Sequence, residues 1–293
     1  MTDPPWSIHQ TGPTVLTLKI PVTRNAGWEQ WALLTSDRHI DSPKSDTRMQ
    51  RRHLDLAAER GAFVLDMGDL FDAMQGKSDK RSSKSDLQEK YKTGDYLGEL
   101  IRDAVDFLKP YSPILAMLGK GNHETSIQRR MEIDLTRTLV DRLRDNGSGV
   151  LMGGYRGWVR LMFEDAKDGN KGYCKTFRLA YTHGSGGAAP VTKGVIRSNR
   201  RAVAFPQADI QVSGHIHEGW SFPIAQACLT DSGREVIREQ VHLAIPSYKD
   251  AIADHGEGFE NEFEHSLKPK GAWWLRFFWD KEDGVKFEYM VAR

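Results

Sequence analysis

At 293 residues the chain is long enough to bury a substantial core, and a single α/β domain over 1–293 is the simplest organisation. Lys and Arg total 41 against 40 Asp and Glu, so bulk charge argues for neither a nucleic-acid nor a membrane partner. The N-terminal segment lacks the basic start and long apolar run of a secretion signal, and no stretch approaches a membrane span, so a cytoplasmic protein without a membrane partner is expected (host cytoplasm if virus-encoded). Cys174 and Cys228 are too few and too far apart for a zinc knuckle or a disulfide framework, and are expected to be buried free thiols.

In chain order, apolar runs predict strands at 28–36 (WEQWALLTS), 62–67 (AFVLDM) and 113–118 (PILAML), with helical patterns between them at 46–60 and 95–109. One long helix is predicted over 124–145, closing at the DNG signal, and strands follow at 177–182 and 208–213. The alternation in the first half implies a parallel or mixed sheet covered by helices. Turn signals at 166–172, 230–233 and 280–284, each flanked by strand-like runs, predict a second and mainly antiparallel sheet. Within it, AWWLRFFW reads as a strand whose aromatic residues fill core rather than form a base-stacking platform. The polar, Lys-rich stretch 75–92 is predicted to be a loop.

The chemistry collects at strand ends. SDRHID (36–41), MGDLFD (67–72), GKGNHE (119–124), YTHG (181–184) and SGHIHE (213–218) each follow an apolar run, and the carboxyl ends of strands are where α/β sheets place ligands. GNHE alone could be a helix start, with Asn122 as cap and Glu124 at the positive end of the helix; five such clusters have no such explanation. Asp37, His39, Asp69, Asn122, His183, His215 and His217 supply oxygen and imidazole donors without a thiolate, a set suited to Mn, Fe, Zn, Ni or Co. In Asp37-x-His39 and His215-x-His217 an extended backbone would put both donors of each pair on one side. The remaining histidines, His9, His53, His242, His255 and His265, are read as surface or packing residues.

The ordered set D-x-H, GDxxD, GNHE, a lone His and GHxH resembles the calcineurin-like metallophosphoesterases, in the manner of their compact bacterial and bacteriophage members. The resemblance covers about 30–220 and implies a four-layer sandwich, α/β in class (α+β), of two mixed β-sheets flanked by helices, with strands from about 221–293 completing the second sheet. It implies two divalent metal ions, Mn foremost: one held by Asp37, His39, Asp69 and His217, the other by Asp69, Asn122, His183 and His215, with Asp69 bridging. It further implies a metal-bridging hydroxide as nucleophile, His123 as the general acid, and Asp72 as the acid that orients His123.

Substrate identity is less legible. Protein phosphatases of the family place an Arg directly after GDxxD, where this chain has Ala73; the large second domain of the nucleotidases and the cap of the repair nucleases have no counterpart here. Phosphodiester cleavage, with nucleic acid or a nucleotide as the substrate class, is therefore favoured over phosphomonoester hydrolysis, and a non-catalytic binding scaffold is the remote alternative. The basic runs 77–84 and 193–201 flank the motifs, and Lys193, Arg197, Arg200 and Arg201 are candidate substrate contacts against the ordinary reading of solvated surface.

Overall fold

The computed structural model describes residues 4–73, 87–165, 172–187, 189–250 and 267–293. The basic run 77–84, residues 166–171 of the first predicted turn, His255 and His265 lie outside the described residues. Strands β1 (Ser7–Gly12) and β2 (Val15–Val22) open the chain, followed by β3 (Glu29–Thr35), α1 (Thr47–Glu59), β4 (Phe63–Asp66), α2 (Tyr96–Leu108) and β5 (Leu115–Leu118). Then come α3 (Asn122–Met131), α4 (Leu135–Asp145), β6 (Leu151–Met152), β7 (Arg156–Asp165), β8 (Cys174–Thr182), α5 (Val195–Ala204), β9 (Ile210–Ser213) and four more strands. Those are β10 (Trp220–Leu229), β11 (Glu235–Ala244), β12 (Ala272–Asp280) and β13 (Gly284–Ala292).

The strands form two mixed sheets. One has the order β13-β12-β3-β4-β5-β6, with β3 through β6 parallel; the other has the order β1-β2-β7-β8-β9-β11-β10. Strand β3 shows why its run is continuously apolar: Ala32 and Leu34 face the core between the sheets, whereas Leu33 faces α1 and α2. Helix α5 lies over the other face of the second sheet, where Gln211 and Gln240 donate to its Arg201 and Phe205 carbonyls. The first two helices start at aspartate caps: Asp46 caps α1 by accepting from the Met49 N–H, and Asp95 caps α2 by accepting from the Gly98 N–H.

Four expectations are corrected. The helix predicted over 124–145 is two helices: Glu132 takes a left-handed φ of 57°, and Asp134 caps α4 by accepting from Arg137 N–H. The second sheet is not mainly antiparallel, because β2–β7, β8–β9 and β9–β11 are all parallel. The C-terminal hairpin β12–β13 joins the first sheet beside β3, and only β10 and β11 complete the second; the unpredicted N-terminal hairpin β1–β2 occupies that sheet's far edge. Cys174 is exposed and Cys228 half-buried rather than core. Trp273 and Phe277 of β12 do fill the inter-sheet core, and Trp274 packs on the helical side. No helix among the described residues is long and apolar enough to cross a membrane.

Candidate metal centre

Five loops at the carboxyl ends of β3, β4, β5, β8 and β9 meet at one point. The chain beyond β3 and the chain beyond β4 stay in parallel contact past their strands, through Asp37 N–H to Gly68 O at 2.9 Å and His39 N–H to Asp69 O at 3.1 Å. Yet Asp37, His39, Asp69, His215 and His217 all have positive φ, between 44° and 71°. The two H-containing pairs therefore do not converge through an extended backbone, as the i, i+2 spacing suggests, but through left-handed turns. Such conformations are costly for non-glycine residues and persist where the surroundings over-determine them. Between the donors, Arg38 turns into the core and pairs with Asp66 at 2.7 Å, both side chains 1% exposed.

Glycine is required at two of these loops by proximity. A Cβ on Gly121 would overlap the Asp69 carboxylate, and one on Gly214 would overlap Ser36 and come within 2.6 Å of Asp37 Oδ2. Gly121, not Asn122, is the N-cap of α3, so the Asn122 amide is free to face the site. Asp69 Oδ1 accepts from the His123 N–H at 3.0 Å, which places its negative charge at the positive end of α3.

The donors form three overlapping groups, Asp37/His39/His217, His39/Asp69/His123 and Asp69/His183/His215, whose ligand atoms lie within 4.8 Å of one another in each case. In the first, His217 Nε2 is 3.3 Å and His39 Nε2 3.9 Å from Asp37 Oδ1. Asp37 Oδ1 and both ring nitrogens of His39 are buried without a hydrogen-bond partner, an arrangement that costs free energy unless a cation joins them. Asp72 Oδ1 comes within 3.0 Å of His39 Nδ1 but outside hydrogen-bond alignment. Burial and the nearby Lys249 ammonium push His39 down to about 4, so the imidazole is neutral at neutral pH. Burial opposes the charge on Asp37, but His217 holds its carboxyl well below the usual range.

In the third group His183 Nδ1–H donates to Met67 O at 3.1 Å, which turns Nε2 toward Asp69 Oδ2 at 3.0 Å and Asn122 Oδ1 at 3.1 Å. Asn122 Oδ1 also meets His215 Nδ1 at 2.6 Å. Burial disfavours a charge on His183, yet Asp69 raises it to about 9, so a proton holds this group together where a cation could. Burial likewise works against Asp69, and His183 brings it down to about 2. The predicted ligands thus come together as two outer donor groups linked through the middle one, by His39 and Asp69. The donor chemistry fits divalent metals: carboxylate, amide and imidazole atoms converge, and some have no other partner.

Asp72 differs from expectation. Its backbone carbonyl, not its carboxylate, takes the His123 Nδ1–H; the carboxylate pairs with Lys249 Nζ at 2.6 Å, which keeps it ionised against its burial. Several residues support the site in roles that the motifs did not assign them. Glu124, 1% exposed, accepts from the N–H groups of Asp69, Phe71 and Gly121 and ties the β4 and β5 loops together; burial and Asp69 raise it to about 8. Asp41 does the same for Asp72 and Ala73, accepting both N–H groups at 2.6 and 2.9 Å. The segment 245–249 crosses the site from the C-terminal side: Tyr248 N–H donates to Asp37 O at 3.1 Å, and its hydroxyl meets His53 Nδ1 at 2.9 Å. His53 and His242 are buried packing residues and His9 is exposed. Of the candidate substrate contacts, Arg197 and Arg201 line the loop after His183, whereas Lys193 and Arg200 are exposed.

No protein-family model and no curated protein matches the sequence. Among solved structures, the chain is similar to vacuolar protein sorting 29 from Cryptosporidium parvum, with 13% identity and a TM-score of 0.37 over 90% of this chain and 99% of that one. It is also similar to Vps29 from Entamoeba histolytica complexed with zinc, with 12% identity and a TM-score of 0.34 over 90% and 99%. A conserved uncharacterized protein from Streptococcus pneumoniae, described as a predicted phosphoesterase, shares 13% identity at a TM-score of 0.32 over 91% and 92%. At such TM-scores the likeness assigns no activity to this chain.

Proposed function

We propose that this chain is a dinuclear metal-dependent phosphoester hydrolase that prefers phosphodiesters, with nucleic acid or nucleotides as the substrate class. The observation that carries this reading is the convergence of two donor groups linked through His39 and Asp69, with Asp37 Oδ1 and both His39 nitrogens buried without a hydrogen-bond partner. Asp37, His39, Asp69 and His217 would hold one ion and Asp69, Asn122, His183 and His215 the other, with Mn foremost and Fe, Zn, Ni or Co also suited to the donors. Divalent cations there would supply positive charge to phosphoryl oxygens and lower the pKa of water.

The chain's own part centres on His123. With Nδ1–H given to the Asp72 carbonyl, Nε2 is the atom from which a proton can pass to the leaving ester oxygen, and it lies 3.7 Å from Asp69 Oδ2. That transfer is worth about 10²- to 10⁴-fold. The preference for a diester is supported by the Asp72 side of the site, where among the described residues no cation stands unpaired. Ala73 is buried with its N–H held by Asp41, so no cation projects from the position after Asp72, and the Lys249 charge is already paired with Asp72. A monoester dianion would need more positive charge than a diester monoanion.

The test is a side-by-side assay of the Mn-loaded chain on a bis-aryl phosphodiester, an aryl phosphomonoester, and single- and double-stranded DNA and RNA. Faster turnover of the diester supports the reading, and faster turnover of the monoester reverses the preference. Tight binding of nucleic acid with no turnover of any ester, in a chain that has bound its metals, would sink the enzyme reading in favour of a binding scaffold.

A further inference from the structure

Helix α5 presents three kinds of surface. Ser198 and Ala202 are buried toward the second sheet, Ile196, Arg200 and Val203 face outward, and Arg197 and Arg201 occupy the flank between, one helical turn apart. That flank faces residues 184–187, the glycine-rich loop that follows His183. Arg197 Nη1 donates to the Ser185 carbonyl, and a side chain on Gly186 would run into the Arg197 guanidinium. A Cβ on Gly184 would lie 3.2 Å from His215 Cβ and 3.7 Å from Arg201 Nη2, so Arg201 borders the donor group that contains His183 and His215. Tyr155 closes the same corner, with its hydroxyl on the Gly184 carbonyl and its ring 5.4 Å from that of His183.

Among the described residues neither guanidinium has a carboxylate partner, although the chain pairs Arg24, Arg38, Arg102, Arg238 and Arg276 with acids. Burial and the charge of Arg197 lower the affinity of Arg201 for its own proton. Two adjacent like charges without a carboxylate counterion, beside a loop of small residues, form a fork suited to a phosphate. The pair lies beyond the donor groups, next to Gly184 and His215, so it is placed for a neighbour of the reacting group.

We infer that the substrate carries a second phosphate beside the scissile phosphoester, held by Arg197 and Arg201 next to Gly184. This deepens the phosphoesterase reading and rests on it. The shared chemistry is a phosphate adjacent to the cleaved bond, supplied either by a nucleic-acid strand or by a nucleotide polyphosphate.

The experiment compares the wild-type chain with Arg197→Met, Arg201→Lys and the R197M/R201M double variant. With Mn bound, kcat/KM is measured on a thymidine dinucleotide with and without a 5′-phosphate, and on a dinucleoside triphosphate against a bis-aryl phosphodiester. The wild type is expected to prefer the substrate with the extra phosphate by roughly tenfold, chiefly through KM, and the double variant to lose that preference. Arg201→Lys, which keeps the charge but not the fork, should fall between them. The arm that shows the larger ratio identifies the source of the phosphate. In parallel, calorimetry on the metal-free chain measures binding of the same dinucleotides without turnover. Binding that depends on the 5′-phosphate and is lost in R197M/R201M supports the arginine site even if no ester is cleaved, a result that would sink the phosphoesterase reading alone. Equal ratios and equal binding, within twofold, in wild type and double variant overturn the inference while leaving turnover of simple diesters to stand.

Discussion

The two donor groups differ in how they stand without a cation. Around Asp37 and His39 the polar atoms are buried and open: Asp37 Oδ1 and both His39 nitrogens have no hydrogen-bond partner, and His39 is neutral. Around His183 the donors close on one another, with Asn122, Asp69 and His215 gathered by short contacts and a proton on His183. Under the proposed function the first group would take a metal onto polar atoms that are now unsatisfied, whereas the second would have to release a proton before binding one. Two metal sites sharing Asp69, as proposed, would thus differ in their dependence on pH.

The most severe way to break the comparison is to remove what the groups share. Asp69→Ala is expected to weaken metal binding at both by more than about 100-fold, since even outer partners of metal ligands are worth 10- to 100-fold, and turnover should vanish with it. Metal content by elemental analysis checks this; one ion retained at full affinity would show that Asp69 does not bridge. Next, His123→Ala should lower turnover by about 10²- to 10⁴-fold with metal content kept. Because His123 also lies within reach of His39 and Asp69, loss of a metal in this variant would make it a ligand instead of the acid.

Acidity separates the groups directly. His183 is raised to about 9, so below that pH metal binding at the second group displaces a proton and its affinity should rise close to tenfold per pH unit, or about 100-fold from pH 6 to 8. In the first group His39, at about 4, has no proton to displace over that interval, so the dependence there should be shallower. Metal titrations at the two pH values resolve a steep and a shallow step, and two parallel steps would erase the distinction. In the metal-free chain the same proton stabilises the fold fully below about 6.5 and ceases to do so as pH rises through about 9. The melting temperature of metal-free protein should therefore decline across that window.

Smaller effects probe the supports. Lys249→Met takes the ammonium from beside Asp72 and His39, and by removing that repulsion should raise metal affinity of the first group severalfold while sparing the second, as metal titration would show. Glu124→Gln would turn an amide N–H₂ toward backbone N–H groups that now meet an acceptor, at a cost of about 1–3 kcal/mol, and thermal denaturation should report a fall of a few degrees.

Much of the site is legible in the sequence because its donors come from short motifs at strand ends, where side-chain type alone signals chemistry. The reason for their convergence was not legible: positive φ at Asp37, His39, His215 and His217 follows from loop packing, not from spacing. The tying roles of Asp41, Glu124 and Tyr248 were silent for a related cause. They act by accepting or donating backbone hydrogen bonds to distant loops, and nothing in their neighbourhood in sequence records those partners. The split of the helix after Met131 was written locally, in the Asp134 cap, but obscured by the helical period on either side.

By itself the sequence determined the strands β3, β4, β5, β8 and β9, the donor set at their ends and the apolar stripes that bury them, since each depends on residue type and short-range period. Only the tertiary structure decided that β1–β2 and β12–β13 exchange sides, each terminal hairpin entering the sheet made by the other end of the chain, because strand partners are chosen by burial and edge pairing across long separations. Only it decided that Lys249 serves Asp72, that the Asp72 carbonyl rather than its carboxylate meets His123, and that Arg197 and Arg201 stand beside His183. These are contacts between loops, set when two sheets pack.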